Sequence, residues 1–99
     1  MQSFYPEVFD RDMACTEADW LRWLPEAIGA HFFKLHASSA GVRLGDGALG
    51  LKWQVAAPRV IGLVSLPRLL VNFRFAGVDE AARYAFMTRF DLYMQRGGG

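Results

Sequence analysis

The Asp46-Gly47 step, set between two segments of alternating apolar side chains, constrains this chain more than any other feature. Asp-Gly in that setting is the strongest short-range signal for a two-residue hairpin, because the central residues of such a turn need positive φ. With Asp46 and Gly47 at the corner, Leu44 is expected opposite Leu49 and Val42 opposite Leu51, while Arg43 and Gly50 fall on the other side. A slip of one residue would turn every one of these apolar side chains to water.

The same pattern extends into a meander from Gly41 to Ala76. Ala56-Ala57-Pro58-Arg59 reads as its second corner, since proline fixes φ and cannot donate to a ladder. Val55 then faces Val60, Trp53 faces Gly62 and Leu51 faces Val64, so that a large ring fills the gap a strand glycine leaves. A third corner at Ser65-Leu66-Pro67-Arg68 sets Val64 against Leu69 and Val60 against Phe73. The expected inner face is Val42, Leu44, Leu49, Leu51, Trp53, Val60, Gly62, Val64, Leu69, Val71, Phe73 and Phe75.

A chain of 99 residues makes one domain, and at this length folding buries roughly two-thirds of the unfolded surface. With 53% hydrophobic and 21% charged residues it belongs with ordinary globular proteins. No apolar run approaches the ~20 residues of a membrane span, and MQSFYPEVFDRD has neither the basic nor the apolar region of a secretory signal. The single cysteine, Cys15, leaves no internal disulfide, which makes a cytoplasmic location the expectation. The net charge of +1 divides unevenly: seven acids and four bases up to residue 50, three acids and seven bases after it. Nine of the eleven bases are arginine, which suits bidentate contacts and also follows from codon bias in a GC-rich genome.

Residues 2–12 alternate aromatics with acids around Pro6, which predicts an extended arm lying on an apolar surface. Thr16 is placed as a helix cap, with Glu17 and Asp19 in the first turn where the helix dipole favours acids. Trp20, Leu24, Ala27 and Ile28 recur at helical spacing, and Pro25 is expected to break or kink that helix before Gly29 ends it. A strand is expected over 31–37. After Gly77, a second helix is expected from Asp79-Glu80 to about Gln95, with Ala82, Phe86, Phe90 and Tyr93 as its apolar stripe, widened by Met87 and Met94. Arg96 complements the dipole at its end, and Gly97-Gly98-Gly99 reads as a flexible tail. The fold class is therefore α+β: a two-layer sandwich with an antiparallel meander of about five strands, covered on one face by an N-terminal and a C-terminal helix.

Known chemical motifs match poorly. Gly45-Asp46-Gly47-Ala48-Leu49-Gly50 has the spacing of the dinucleotide fingerprint, but a strand pattern follows it instead of a helix, and position 70 is Leu instead of an acid. His31 and His36 are five apart, so on a strand they face opposite ways and share no metal. No catalytic constellation, cofactor site or metal site can be assembled from spacing. Arg96-Gly97-Gly98-Gly99 is similar to the diglycine ends of sulfur-carrier and ubiquitin-like proteins, but those tails leave a strand, whereas 87–95 has a helical pattern. Val71-Asn72-Phe73-Arg74-Phe75 resembles an RNA-binding strand of the RRM type, yet its rings are expected to point inward, so nucleic acid is not the favoured partner.

The outer face of the meander remains as the working surface, with Arg43, Lys52, Gln54, Arg59, Ile61, Leu63, Leu70, Asn72 and Arg74 upon it. Ile61, Leu63 and Leu70 would form an exposed apolar patch of the kind that marks an interface. Arg59 and Arg74 are expected to oppose one another, which is unfavourable unless an anion lies between them. Three readings follow. The arm, or a second copy of the chain, covers the face, making this a homodimeric binding or assembly module. Alternatively Arg59 and Arg74 clamp an anionic small molecule, with Lys52, Gln54 and Asn72 completing the site. RNA is the third.

Overall fold

The structure, a computed structural model, describes residues 4–98, with side chains through Gln95. Seven elements follow one another: β1 (Val8–Met13), α1 (Glu17–Ile28), β2 (Phe33–Leu35), β3 (Ser39–Leu44), β4 (Gly47–Ile61), β5 (Val64–Ala76) and α2 (Glu80–Gly98). The five strands form one antiparallel sheet in the order β1-β5-β4-β3-β2. Both helices lie on the same face, so the architecture is the α+β two-layer sandwich expected from the sequence.

Four local expectations are corrected. The first hairpin turns at Gly45-Asp46, not Asp46-Gly47: Leu44 pairs with Gly47 and Val42 with Leu49. Gly45 has φ 60°, as the first central residue of a type II′ turn requires. Because the register moves by two residues, no side chain changes face.

The second correction is larger. Neither proline makes a corner; β4 and β5 run on as two long strands past Pro58 and Pro67, with a bulge between Ala56 and Arg59. A bulge tolerates the missing donor that a regular ladder would not. The strands instead reverse at Gly62-Leu63, where Gly62 again supplies the positive φ of 60°. Trp53 therefore faces Val71 and Leu51 faces Phe73. Nine of the twelve expected inner residues are buried, but Val60 and Val64 are 69% and 55% exposed, and Gly62 is in the turn.

Third, the N-terminal segment does not cross the outer face. It pairs along β5 as an edge strand, from Val8 opposite Arg74 to Met13 opposite Leu69. Its alternation sends Phe9 inward, where the ring stacks on Phe73 at 4.7 Å, and sends Asp10 and Asp12 outward.

Fourth, α1 is one helix through Pro25. The lost bond and steric conflict cost about 3 kcal/mol, while burial of Trp20, Leu24 and Ile28 returns about 1.5–3 kcal/mol for each large side chain. Thr16 caps the helix as expected, accepting from the Asp19 amide at 3.1 Å, and Gly29 ends it. In α2, Asp79 accepts from the Ala82 amide at 2.8 Å. Phe86, Met87, Phe90 and Met94 are buried, whereas Ala82 is exposed. The helix includes Gly97 and Gly98, which the sequence had suggested as tail; the Arg96 side chain and Gly99 lie outside what is described.

Two polar connections close the sandwich, one buried and one half-buried. Arg83, 9% exposed, donates through Nε to the Tyr5 carbonyl at 2.8 Å and through Nη1 to the Val78 carbonyl at 2.7 Å. Arg11 pairs with Asp91, which also accepts from the Tyr5 hydroxyl at 2.9 Å. The Arg11 guanidinium lies 5.5 Å from the Phe9 ring centroid and 5.6 Å from that of Phe73. Burial lowers the Arg11 pKa, but Asp91 outweighs it, and the charge is held more firmly than in a free arginine. Burial and the neighbouring Asp91 carboxylate both push the Tyr5 phenol up.

Candidate functional site

The outer sheet face can be laid out strand by strand from the pairing. Across its middle, Asp10 lies opposite Asn72, Asn72 opposite Lys52, and Lys52 opposite Ser39. One row toward the hairpin tip, Asp12, Leu70 and Gln54 are neighbours. Lys52, Gln54, Leu70 and Asn72 were all placed on this face by sequence and do meet there, lining an open concavity of about 840 Å³ with Asp10, Asp12, Ser38 and Ser39.

The acids from β1 organise its polar contacts. Asp10 accepts from the Asn72 amide at 2.8 Å. Asp12 takes Arg68 bidentately, with Nη2 at 2.7 Å and Nε at 3.1 Å, and Arg59 at 3.5 Å. The hydrogen bonds from Arg68, then its charge, hold the Asp12 carboxyl below the usual carboxylate range; the same contact raises Arg68. Arg68 is the residue that sequence reasoning missed, because the assumed corner at 65–68 put it in a turn.

Arg59 and Arg74 do not oppose one another. Arg59 is beside Leu66, and Arg74 lies between Gly50 and Val8. The two partner positions on β5, 74 and 66, differ by eight residues, a separation of about 27 Å along an antiparallel strand. No clamp exists, and Arg59 is engaged by Asp12 within its own chain.

The expected contiguous patch of Ile61, Leu63 and Leu70 is divided, with Leu70 in the body lining the concavity. Ile61 and Leu63 are 60% and 106% exposed, on a part of the sheet that has left the body of the molecule. The β3 ladder to β4 ends at Lys52, and the β1 ladder to β5 ends at Leu69. Beyond these, among the described residues, β4 and β5 have no other strand partner. Val55, Val60, Ile61, Leu63, Val64 and Leu66 are all exposed along this two-stranded arm. On the outer face, Arg68 in its pair with Asp12 separates Leu70 from Leu66, Ile61 and Val64 nearer the tip.

Among the described residues, no helix is long and apolar enough to cross a membrane. No protein-family model, curated protein or solved structure matches the chain.

Proposed function

We propose that this chain is an assembly module that joins a second copy of itself through the β4–β5 arm. The observation that carries the reading is the arm's composition: six large apolar side chains lie exposed on a ribbon that, among the described residues, has no other strand beside it. A two-stranded ribbon is marginal in water unless its face is packed, and exposed apolar patches on this scale mark interfaces.

The second copy is favoured by charge. Between Val55 and Pro67 the only ionised side chain is Arg59, and Asp12 of the same chain engages it. The remaining surface is neutral and apolar, so two identical arms meet across a two-fold axis without like-charge repulsion. In this reading Ile61 and Leu63 are joined by Leu66 and Val64 at the interface, and Leu70, in the body of the sheet, takes no part.

The test uses two differently tagged copies expressed together. Capture of one should recover the other, and Leu63→Asp in both should abolish the recovery while the melting temperature of the body stays within a few degrees. Recovery unaffected by Leu63→Asp with Ile61→Asp removes the arm from the interface.

A further inference from the structure

The body of the sheet carries a second outer-face feature, separate from the arm. Gly41 and Gly50 are direct cross-strand partners on β3 and β4. Neither has positive φ. A Cβ built on Gly41 would meet nothing within 4 Å, and one on Gly50 would meet only the Arg74 carbonyl oxygen at 3.7 Å, an ordinary contact. The chain's own packing and backbone therefore require glycine at neither position. Glycine weakens a strand interior, and where no internal reason exists it marks a place where something outside approaches the backbone.

Four cations surround this bare floor. Lys34 pairs with Gly41 on one side and Arg74 with Gly50 on the other. Arg43 and Lys52 lie two residues away along β3 and β4. All four are exposed, and among the described residues none makes an ion pair. Two acids lie at the margins, Asp10 in the row of Asn72 and Lys52 and Asp46 beside Lys34 and Arg43, so cations outnumber acids around the floor. Gly41 also floors an open concavity of about 610 Å³ shared with Lys34, Arg43, Asp46 and the ring of Phe32, which is 64% exposed.

From this juxtaposition we infer a binding site for a planar ring compound carrying two or more negative charges, for which a nucleoside diphosphate serves as the probe. The excess of cations over acids around the floor favours an anion. It also excludes a second copy, which would bring an identical positive patch against this one. The glycines call for the ring. Lysine and arginine side chains can reach an anion past any Cβ, so a flat floor matters only to a ligand lying against the backbone. Neighbouring strands ~4.8 Å apart, with the next outward residues ~7 Å away along each strand, give a surface of heterocycle size.

Calorimetric titration of the whole chain tests this with four probes: ADP, pyrophosphate, adenosine and a short single-stranded oligoribonucleotide. ADP should bind saturably at one site per chain, more tightly than either pyrophosphate or adenosine, and more weakly as salt rises. Gly41→Val with Gly50→Val should weaken ADP at least about tenfold with a melting temperature unchanged or raised, since valine is the better strand residue. Lys52→Gln with Arg74→Gln should weaken it too. No saturable ADP binding, pyrophosphate binding as well as ADP, ADP affinity unmoved by the valines, or binding of the oligonucleotide alone would each overturn the inference.

Discussion

The indole Nε1 of Trp53 donates to Glu17 Oε2 at 2.9 Å, tying the centre of the sheet to the first turn of α1. The same ring lies 5.5 Å from that of Trp20, and Trp53 is only 5% exposed. One residue of β4 thus supplies both a packed ring and a polar anchor for the helix that covers it.

Trp53→Ala should cost about 3–5 kcal/mol through the cavity left behind, and Trp53→Phe less, because much of the volume stays. Denaturant unfolding measures both. A cost below about 1 kcal/mol for alanine would show that the ring does not support the core.

The link between β1 and α2 should respond differently. Asp91→Ala leaves the Arg11 guanidinium and the Tyr5 hydroxyl without their shared acceptor in a half-buried site, and the expected cost is about 1–3 kcal/mol. In a double-mutant cycle with Arg11→Met the two losses should not add, because the same contact is removed twice. Strict additivity would mean that the pair is not coupled.

How the sequence pointed to some of this and not the rest is clear at β4. Alternation alone put Leu49, Leu51 and Trp53 inward, and Leu69, Val71, Phe73 and Phe75 with them, because parity survives any register error of two residues. It could not separate a corner from a bulge at Pro58, since both accommodate a residue with no amide donor. The same ambiguity recurred at Pro67, and the two assumed corners displaced Val60, Val64 and Arg68 and created the false pairing of Arg59 with Arg74. The edge position of β1 was equally hidden: its alternating aromatics and acids fit an arm lying across a face as well as a strand beside one. The glycine floor was half visible, since Gly50 was placed outward, but pairing was needed to bring Gly41 beside it.

Acid should weaken the base of the arm. The folded Asp12 carboxyl is depressed by Arg68, so its contribution is present above the ordinary carboxylate range near ~4 and is lost as pH falls through the folded value. Between those two points the unfolded chain binds more protons, and stability rises with pH. Asp12→Asn should flatten this limb in thermal melts taken as pH falls below the ordinary carboxylate range; an unchanged slope would remove Asp12 from the acid response.

Cys15 should be inert in the folded chain. It is 3% exposed, and burial, reinforced by the nearby Asp19 charge, raises its thiol above the usual range. Alkylation by iodoacetamide at pH 8 should therefore be slow until denaturant is added. The raised value also makes stability fall as pH climbs from the ordinary thiol range near ~8.5 through the folded one, and Cys15→Ala should lessen that fall. Prompt labelling without denaturant would contradict the burial.

Sedimentation equilibrium across a broad concentration range bears most directly on the claim that the β4–β5 arm joins two copies. The wild-type chain is expected to move from monomer to dimer with increasing concentration, and Leu63→Asp with Ile61→Asp to remain monomeric throughout with its fold intact. A wild-type chain that stays monomeric at every concentration, or a doubly substituted chain that still dimerises, would contradict the account.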